Sequence, residues 1–436
     1  MSALTSPIRQ LTLVRRGEGR ALAWAAGLFF CILFGYYLLR PMRDEMGIRG
    51  DLDALPWLWT GTSLAMLVAA PLFGLLVSRA PRRVFLPLTY IGLAGSLVVF
   101  FGLFEALPEG ARLGAGYAFY IWLSVLNLFA TAVFWGFMAD IFTPEQGTRL
   151  FGAIGVGGTV GAICGSAVPA WLVRGVAVGG VTVRMDAEWL LLGAAGMMLL
   201  AVVCVRRLMG EFGIQRGSEG MSAGTAAAPK EPGRDALKGF KLIATSPYLL
   251  GMCAYMLLYT VTASYAYFEE ARIVKSVIET TEGRTAFYGQ VNLAVNGLTL
   301  LTQLFLTGRL LKRFGVIFGL LLMPALMLGG FAALAIAPAL ATLFIFRVAQ
   351  RGLHYAVDKP ARETLYTVLG PEEKYKSKSF IDTFVYRGGD LLGAWTHAAA
   401  LAAGQIVLIV APLAAVWAVV AAFLAARRKA LLRARV

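Results

Sequence analysis

Gly74-Leu75-Leu76-Val77-Ser78-Arg79-Ala80-Pro81-Arg82-Arg83 and, in the second half of the chain, Gly308-Arg309-Leu310-Leu311-Lys312-Arg313-Phe314-Gly315 are two versions of one device. Each places a glycine, a short turn and a basic cluster after the second long apolar run of its half. The same punctuation at the same place in both halves predicts a duplicated helical unit, a common plan among membrane proteins. The basic clusters give it a direction, because Lys and Arg accumulate in short cytoplasmic loops.

The composition around these stretches agrees. Of 436 residues, 58% are hydrophobic and 15% charged, with a mean hydropathy of +0.70. Soluble domains run near ~45–50% apolar and about 25% charged. That gap excludes most soluble enzymes, disordered proteins and nucleic-acid binders. The net charge of +15 is explained by the positive-inside bias rather than by nucleic acid. Apolar runs near 21–40, 55–78, 84–104, 115–140, 150–173 and 188–205 form one set. Runs near 245–268, 286–308, 315–337, 339–358, 380–402 and 404–426 form a second. They lack the alternation of barrel strands, so helices are the reading. The fold class predicted is therefore all-α, twelve transmembrane helices in two six-helix bundles. The domains are 1–206, a low-hydrophobicity cytoplasmic linker at 207–241, and 242–436.

Counting charges tests this topology. With both termini cytoplasmic, the inside segments hold 28 Lys and Arg and the outside loops nine, while Arg347, Arg351 and Arg387 fall within spans. The location expected is a bacterial inner membrane, with the lipid bilayer as surroundings and the chain as a monomer. The basic start before Ala21 is not followed by a signal-peptide cleavage region, so it introduces the first span. Cys31, Cys164, Cys204 and Cys253 lie in apolar stretches without metal spacing, and two histidines are too few for a metal site. No cofactor, metal or catalytic constellation is expected. Six plus six helices with this repeat resemble the major facilitator architecture.

Ionisable groups inside a membrane are costly and mark cavities or partners. Span 10 places Arg347, Arg351, His354 and Asp358 at i, i+4, i+7 and i+11, on one helical face. Two guanidiniums one turn apart suit phosphate or carboxylate; an inward network of ion pairs explains the same spacing. In span 11, Arg387 and Asp390 are i, i+3 neighbours, with Gly388-Gly389 between them. Asp390 or Glu269 is also a candidate for proton coupling. Span 1 ends in Arg40-Pro41-Met42-Arg43, basic residues on the outer side where snorkelling to headgroups is the plain alternative. Uncharged stripes run along span 8 (Asn292, Asn296, Thr299, Gln303), span 7 (Tyr255, Tyr259, Thr262) and span 4 (Asn127, Thr131). Such stripes line wet cavities or bond between helices. Gly157, Gly161 and Gly165 in span 5 form a small-residue packing face.

Three further stretches carry a family resemblance. They are Leu38-Leu39-Arg40-Pro41-Met42-Arg43-Asp44, Phe134-Trp135-Gly136-Phe137-Met138-Ala139-Asp140 followed by Phe151-Gly152-Ala153-Ile154-Gly155, and Tyr375-Lys376-Ser377-Lys378-Ser379-Phe380-Ile381-Asp382 with Gly388-Gly389. Together they resemble the nucleotide transporter family, the ATP/ADP exchangers of plastids and obligate intracellular bacteria. The resemblance implies a distant branch of the major facilitator fold and a role in phosphate binding for Arg43 and for Arg387. It also implies acidic residues in spans 4 and 7. No Asp or Glu lies between Glu109 and Asp140 or between Asp235 and Glu269, so those positions are unmatched.

The function expected is secondary-active transport of an organic anion, a nucleotide or other phosphorylated metabolite, by alternating access. Substrate would meet Arg40, Arg43, Arg347, Arg351 and Arg387, with Tyr255, Tyr259, Asn127, Asn292 and Asn296 orienting it. Asp140, Asp358 and Asp390 would balance charge in the empty site. The alternatives are a proton-coupled exporter of lipophilic compounds and a non-transporting receptor or helper protein.

Overall fold

A computed structural model of the chain describes residues 14–15, 17–79, 81–173, 175–178, 181–212, 243, 245–402 and 406–433. Most of the linker expected at 207–241 lies outside them. Six long helices come first: α1 (Gly19–Arg49), α2 (Ala54–Arg79), α3 (Arg82–Ala106), α4 (Glu109–Ile141), α5 (Pro144–Trp171) and α6 (Trp189–Glu211). Then come α7 (Pro247–Val277), α8 (Thr281–Phe305) and α9 (Thr307–Ile336). The tenth span is α10 (Leu340–Leu353) plus a π turn, His354–Asp358, continuing through α11 (Lys359–Glu363) and a 3-10 turn, Thr364–Val368. The eleventh follows the short polar α12 (Pro371–Phe380) as a π turn, Ile381–Val385, and α13 (Tyr386–Ala402), and α14 (Ile406–Arg433) is last. Twelve helical spans are thus present among the described residues, as expected. The helical pattern is interrupted by one small hairpin, β1 (Val176–Val178) antiparallel to β2 (Val181–Val183), with Val176 opposite Val183.

Eight of the described helices are long and apolar enough to cross a bilayer by length and composition alone. Of the remaining spans, α8 carries a polar stripe, and α10 and α13 are shorter helices continued by π turns. Several helices outrun their expected ends, α1 and α7 furthest. α1 continues from position 40 to Arg49 with Pro41 inside it, and α7 continues past 268 to Val277. The sequence reading ends both spans where charges begin. The helices do not stop there, because those charges pair with each other inside the protein.

Among the described residues the chain divides into two compact units. Unit one falls within Met1–Ala54, Thr60–Ala226 and Ile278–Asn296; unit two falls within Leu55–Trp59, Ala227–Val277 and Gly297–Val436. In unit one, α1 is the central helix and packs against α4, α5 and α6. Its closest neighbour is α5, whose Gly157, Gly161 and Gly165 admit the α1 backbone. A Cβ on any of the three would collide with the carbonyl oxygen of Ala26, Phe30 or Phe34. The start of α5 is fixed by a capping box, Thr143 with Gln146. Gln146 also bonds Glu18 at the start of α1 (3.1 Å), and Arg149 grips the same carboxylate at 2.9 and 3.2 Å. Those Arg149 bonds, with the Arg15 amide and Gln146 adding less, hold the Glu18 carboxyl down at about 2. In unit two, α9 packs on α14 and α13 on α7. Gly315 breaks α9 at a φ of 77°, a left-handed conformation suited to glycine. The basic segment Thr307–Phe314 is thereby separated from the apolar span expected at 315–337.

The α1–α5 contact leaves no room for a side chain. Gly161→Val is expected to lower stability by about 2 kcal/mol, in the range of overpacked cores. Gly92→Ala, where an added Cβ meets nothing within 4 Å, is expected to leave it unchanged. Thermal unfolding of the two purified variants checks the difference.

Candidate functional site

Unit one gathers charge at the Arg49 end of α1. Arg43 donates through Nη1 to Asp44 Oδ1 (3.0 Å) and through Nε to the Tyr120 carbonyl (3.1 Å). Its guanidinium carbon lies 3.9 Å from the centre of the Tyr120 ring, a cation–π stack that fixes its plane. Arg40 reaches the other Asp44 oxygen at 3.9 Å and lies over Tyr37. One turn on, the Glu45 carboxylate is 1% exposed and takes Arg284 of α8 at 3.0 Å and Arg49 at 3.2 Å. Four guanidiniums therefore gather around two buried carboxylates within a few turns of helix.

The other expected residues of unit one lie apart from this cluster. Asn127 is half-buried in α4, and its carbonyl accepts from Thr131 (2.7 Å). Asn292 is buried, and Asn296 donates to Ser166 of α5 at 3.3 Å. Asp140 stands at the far end of α4. The carboxylate paired with Arg40 and Arg43 is Asp44, the next residue in the chain, and not one of the three aspartates expected to balance charge.

In unit two the span 10 stripe is spent on α7. Arg347 donates to Glu270 Oε2 (2.7 Å) and Gln350 Oε1 (2.9 Å), fully enclosed. Tyr259 stacks on His354, ring centres 4.2 Å apart. The Tyr255 hydroxyl donates to Asp358 Oδ1 at 2.5 Å, and His354 Nδ1 lies 2.9 Å from Asp358 Oδ2. Residues 270, 259 and 255 of α7 thus meet 347, 354 and 358 in reverse order, so the two helices run antiparallel with one polar seam. The π turn at His354–Asp358 sits in that seam, and π turns recur at functional sites. Arg351 is half-buried on α10. Arg387 is 42% exposed and holds Asp390 at 3.4 Å. Of the pair Gly388-Gly389, Gly389 packs on Thr260 of α7 and Gly388 faces open space.

Charged residues outside the expected set therefore belong to these clusters, among them Asp44, Glu45, Arg49, Arg284, Glu269 and Glu270. Glu269, weighed above only for proton coupling, binds Arg272 (2.6 Å) and His397 (3.3 Å). A signal for some of them is present in the sequence: Arg40 and Asp44, like Glu45 and Arg49, are spaced i, i+4. The Arg284–Glu45 and Arg347–Glu270 pairs join distant segments and leave no local trace.

Comparison with known proteins places this geometry in context. A family model described as TLC ATP/ADP transporter matches residues 116–337. The chain is 24% identical to ADP,ATP carrier protein 1 of Chlamydia pneumoniae over 84% of its own length and 82% of that protein's. It is 20% identical to the plastidic ATP/ADP-transporter of Solanum tuberosum over 81% of its length and 63% of that protein's. Among solved structures, a bacterial homologue of the iron transporter ferroportin superposes with a TM-score of 0.65 at 14% identity, covering 94% of this chain and 98% of that one. A mutant form of the nucleoside transporter NupG gives 0.58 at 13%, covering 94% and 98%. At such identities these structures speak for the fold alone, which is of the major facilitator type.

Removing one partner of a buried ion pair strands the other. Arg347→Ala is expected to cost about 3–5 kcal/mol by leaving Glu270 uncompensated. The double variant Arg347→Gln/Glu270→Gln is expected to recover most of that stability. Unfolding midpoints of the single and double variants in one detergent measure it.

Proposed function

The chain belongs to the TLC ATP/ADP transporter family, and on that premise we propose that it exchanges nucleotides across a bacterial inner membrane by alternating access. Membrane transport is the activity its family carries; it is not an enzyme. The observation that carries the nucleotide reading is the gathering of four guanidiniums, Arg40, Arg43, Arg49 and Arg284, around Asp44 and Glu45 at one end of α1. Clustered guanidiniums suit a nucleotide's phosphates, because guanidinium–phosphate bonds are charge-assisted and bidentate.

In this reading Arg40 and Arg43 bind phosphate, and Asp44 keeps them compensated when the site is empty. A phosphate arriving at Arg43 takes over the Nη1 bond that Asp44 holds, while the Tyr120 stack and carbonyl keep the guanidinium in place. Arg387, half-buried and paired with Asp390, is a further phosphate contact in this reading, and Arg351 of α10 another. Asn127 orients the bound solute. Arg347, Tyr255 and Tyr259, enclosed against their partners, hold α7 to α10. The two six-helix domains, the linker between them and the cytoplasmic termini are part of the same proposal, supported by the distribution of basic residues.

A second reading, proton-coupled uptake, is favoured by the buried chain Tyr255–Asp358–His354, since a phenol, carboxylate and imidazole in contact form a path for a proton. One experiment separates the two. In proteoliposomes, labelled ATP is offered outside vesicles preloaded with ADP, with no nucleotide, or with an acid-outside gradient. Exchange predicts saturable uptake that needs internal nucleotide, lowered about tenfold to a hundredfold by Arg43→Ala, the range of one charged hydrogen bond. Uptake driven by the pH gradient into empty vesicles supports the second reading. No nucleotide flux from folded protein contradicts both.

A further inference from the structure

The nucleotide reading leaves unused a groove in unit one, at the opposite end of the helices from Arg43. It lies between the start of α3 and the end of α6, encloses about 500 Å³, and is flanked by Arg83 on one helix and Arg206 on the other. Both arginines are exposed, and neither has a hydrogen bond or ion pair with any described residue. The acid closest along α6, Glu211, is already taken by Arg20 at 2.7 Å. Two guanidiniums on separate helices therefore face one groove, with no carboxylate among the described residues to answer them.

Below the arginines the walls turn apolar and open outward. On α3, Val84, Leu88 and Ile91 follow i, i+4, i+7 spacing and are 57%, 61% and 41% exposed. On α6 the groove is lined by Met209 beside Arg206, and beyond it Leu199 and Val203, on the same helical stripe as Arg206, continue an exposed apolar surface. The site is thus amphipathic along its length, cationic at one end and greasy from there on. A soluble anion would use only the cationic end. A phospholipid matches all of it, with its phosphate between Arg83 and Arg206 and an acyl chain along Val84, Leu88 and Ile91. Basic pockets between transmembrane helices on the cytoplasmic side are suited to anionic headgroups, and the charge bias of this chain assigns that side to the Arg83 end.

We propose that the α3–α6 groove is a binding site for one anionic phospholipid of the cytoplasmic leaflet, held by Arg83 and Arg206. The site stands apart from the residues proposed for nucleotide, so its occupancy does not depend on that reading. A zwitterionic lipid fits the apolar walls but carries its own ammonium to the arginines, which weakens it.

Native mass spectrometry of the full-length, delipidated protein tests this, with phosphatidylglycerol, phosphatidylethanolamine and glycerol 3-phosphate titrated separately. The expected result is one retained phosphatidylglycerol per chain, bound about tenfold or more tighter than phosphatidylethanolamine, as the loss of a charged hydrogen bond implies. Arg83→Gln/Arg206→Gln removes that preference, whereas Arg309→Gln/Lys312→Gln, in the other basic cluster, keeps it. Matching unfolding midpoints without lipid show that the variants are folded. Equal binding of the two lipids, an unchanged preference in Arg83→Gln/Arg206→Gln, an equal loss in the control pair, or glycerol 3-phosphate binding as tightly as the lipid overturns the proposal.

Discussion

A guanidinium carried into apolar helices stays there only because something neutralises it. Much of this protein is arranged around that constraint, and its two units meet it differently. In unit two Arg347 has Glu270 and an amide, a closed set that leaves no charge over. In unit one Arg40, Arg43, Arg49 and Arg284 gather around Asp44 and Glu45, several guanidiniums to each carboxylate. The first arrangement is structural cement. The second clusters guanidiniums as a phosphate-binding site does, which is why the proposed function rests on it.

Holding such a cluster still requires a stiff support. α1 carries Arg40, Arg43, Asp44, Glu45 and Arg49 on one continuous helix from Gly19 to Arg49. The glycine stripe of α5 brings a neighbouring backbone against it, and the Glu18–Arg149 bonds tie down its other end. Tyr120 of α4 adds a ring face and a carbonyl to Arg43. The arginine most relevant to phosphate is therefore positioned by its packed surroundings rather than by a mobile side chain of its own.

Much of this is legible in the sequence. Apolar runs, the repeated glycine–basic punctuation and the charge bias between loops specify twelve spans, because each follows from local composition. Gly157, Gly161 and Gly165 announce a packing face by spacing alone. The ends of spans 1 and 7 are hidden, since a helix whose charges are compensated internally reads as a loop when its partners are unknown. For the same reason a search for acids in span 7 that ends at 268 stops two residues short of Glu270. The span 10 stripe is visible as one face, but spacing does not say what a face meets. The antiparallel seam with α7 depends on pairing residues about a hundred positions apart, and no local pattern encodes that.

The central claim is that the clustered guanidiniums of Arg40 and Arg43 select for phosphate. The most direct measurement is competition by ATP, ADP, AMP and adenosine for binding to the purified protein, alongside the Arg40→Gln/Arg43→Gln variant. The account predicts affinity that rises with phosphate charge, and a ladder that flattens in the variant while its unfolding midpoint stays near the wild type. Adenosine competing as well as ATP, or a full ladder surviving without the two arginines, would contradict it.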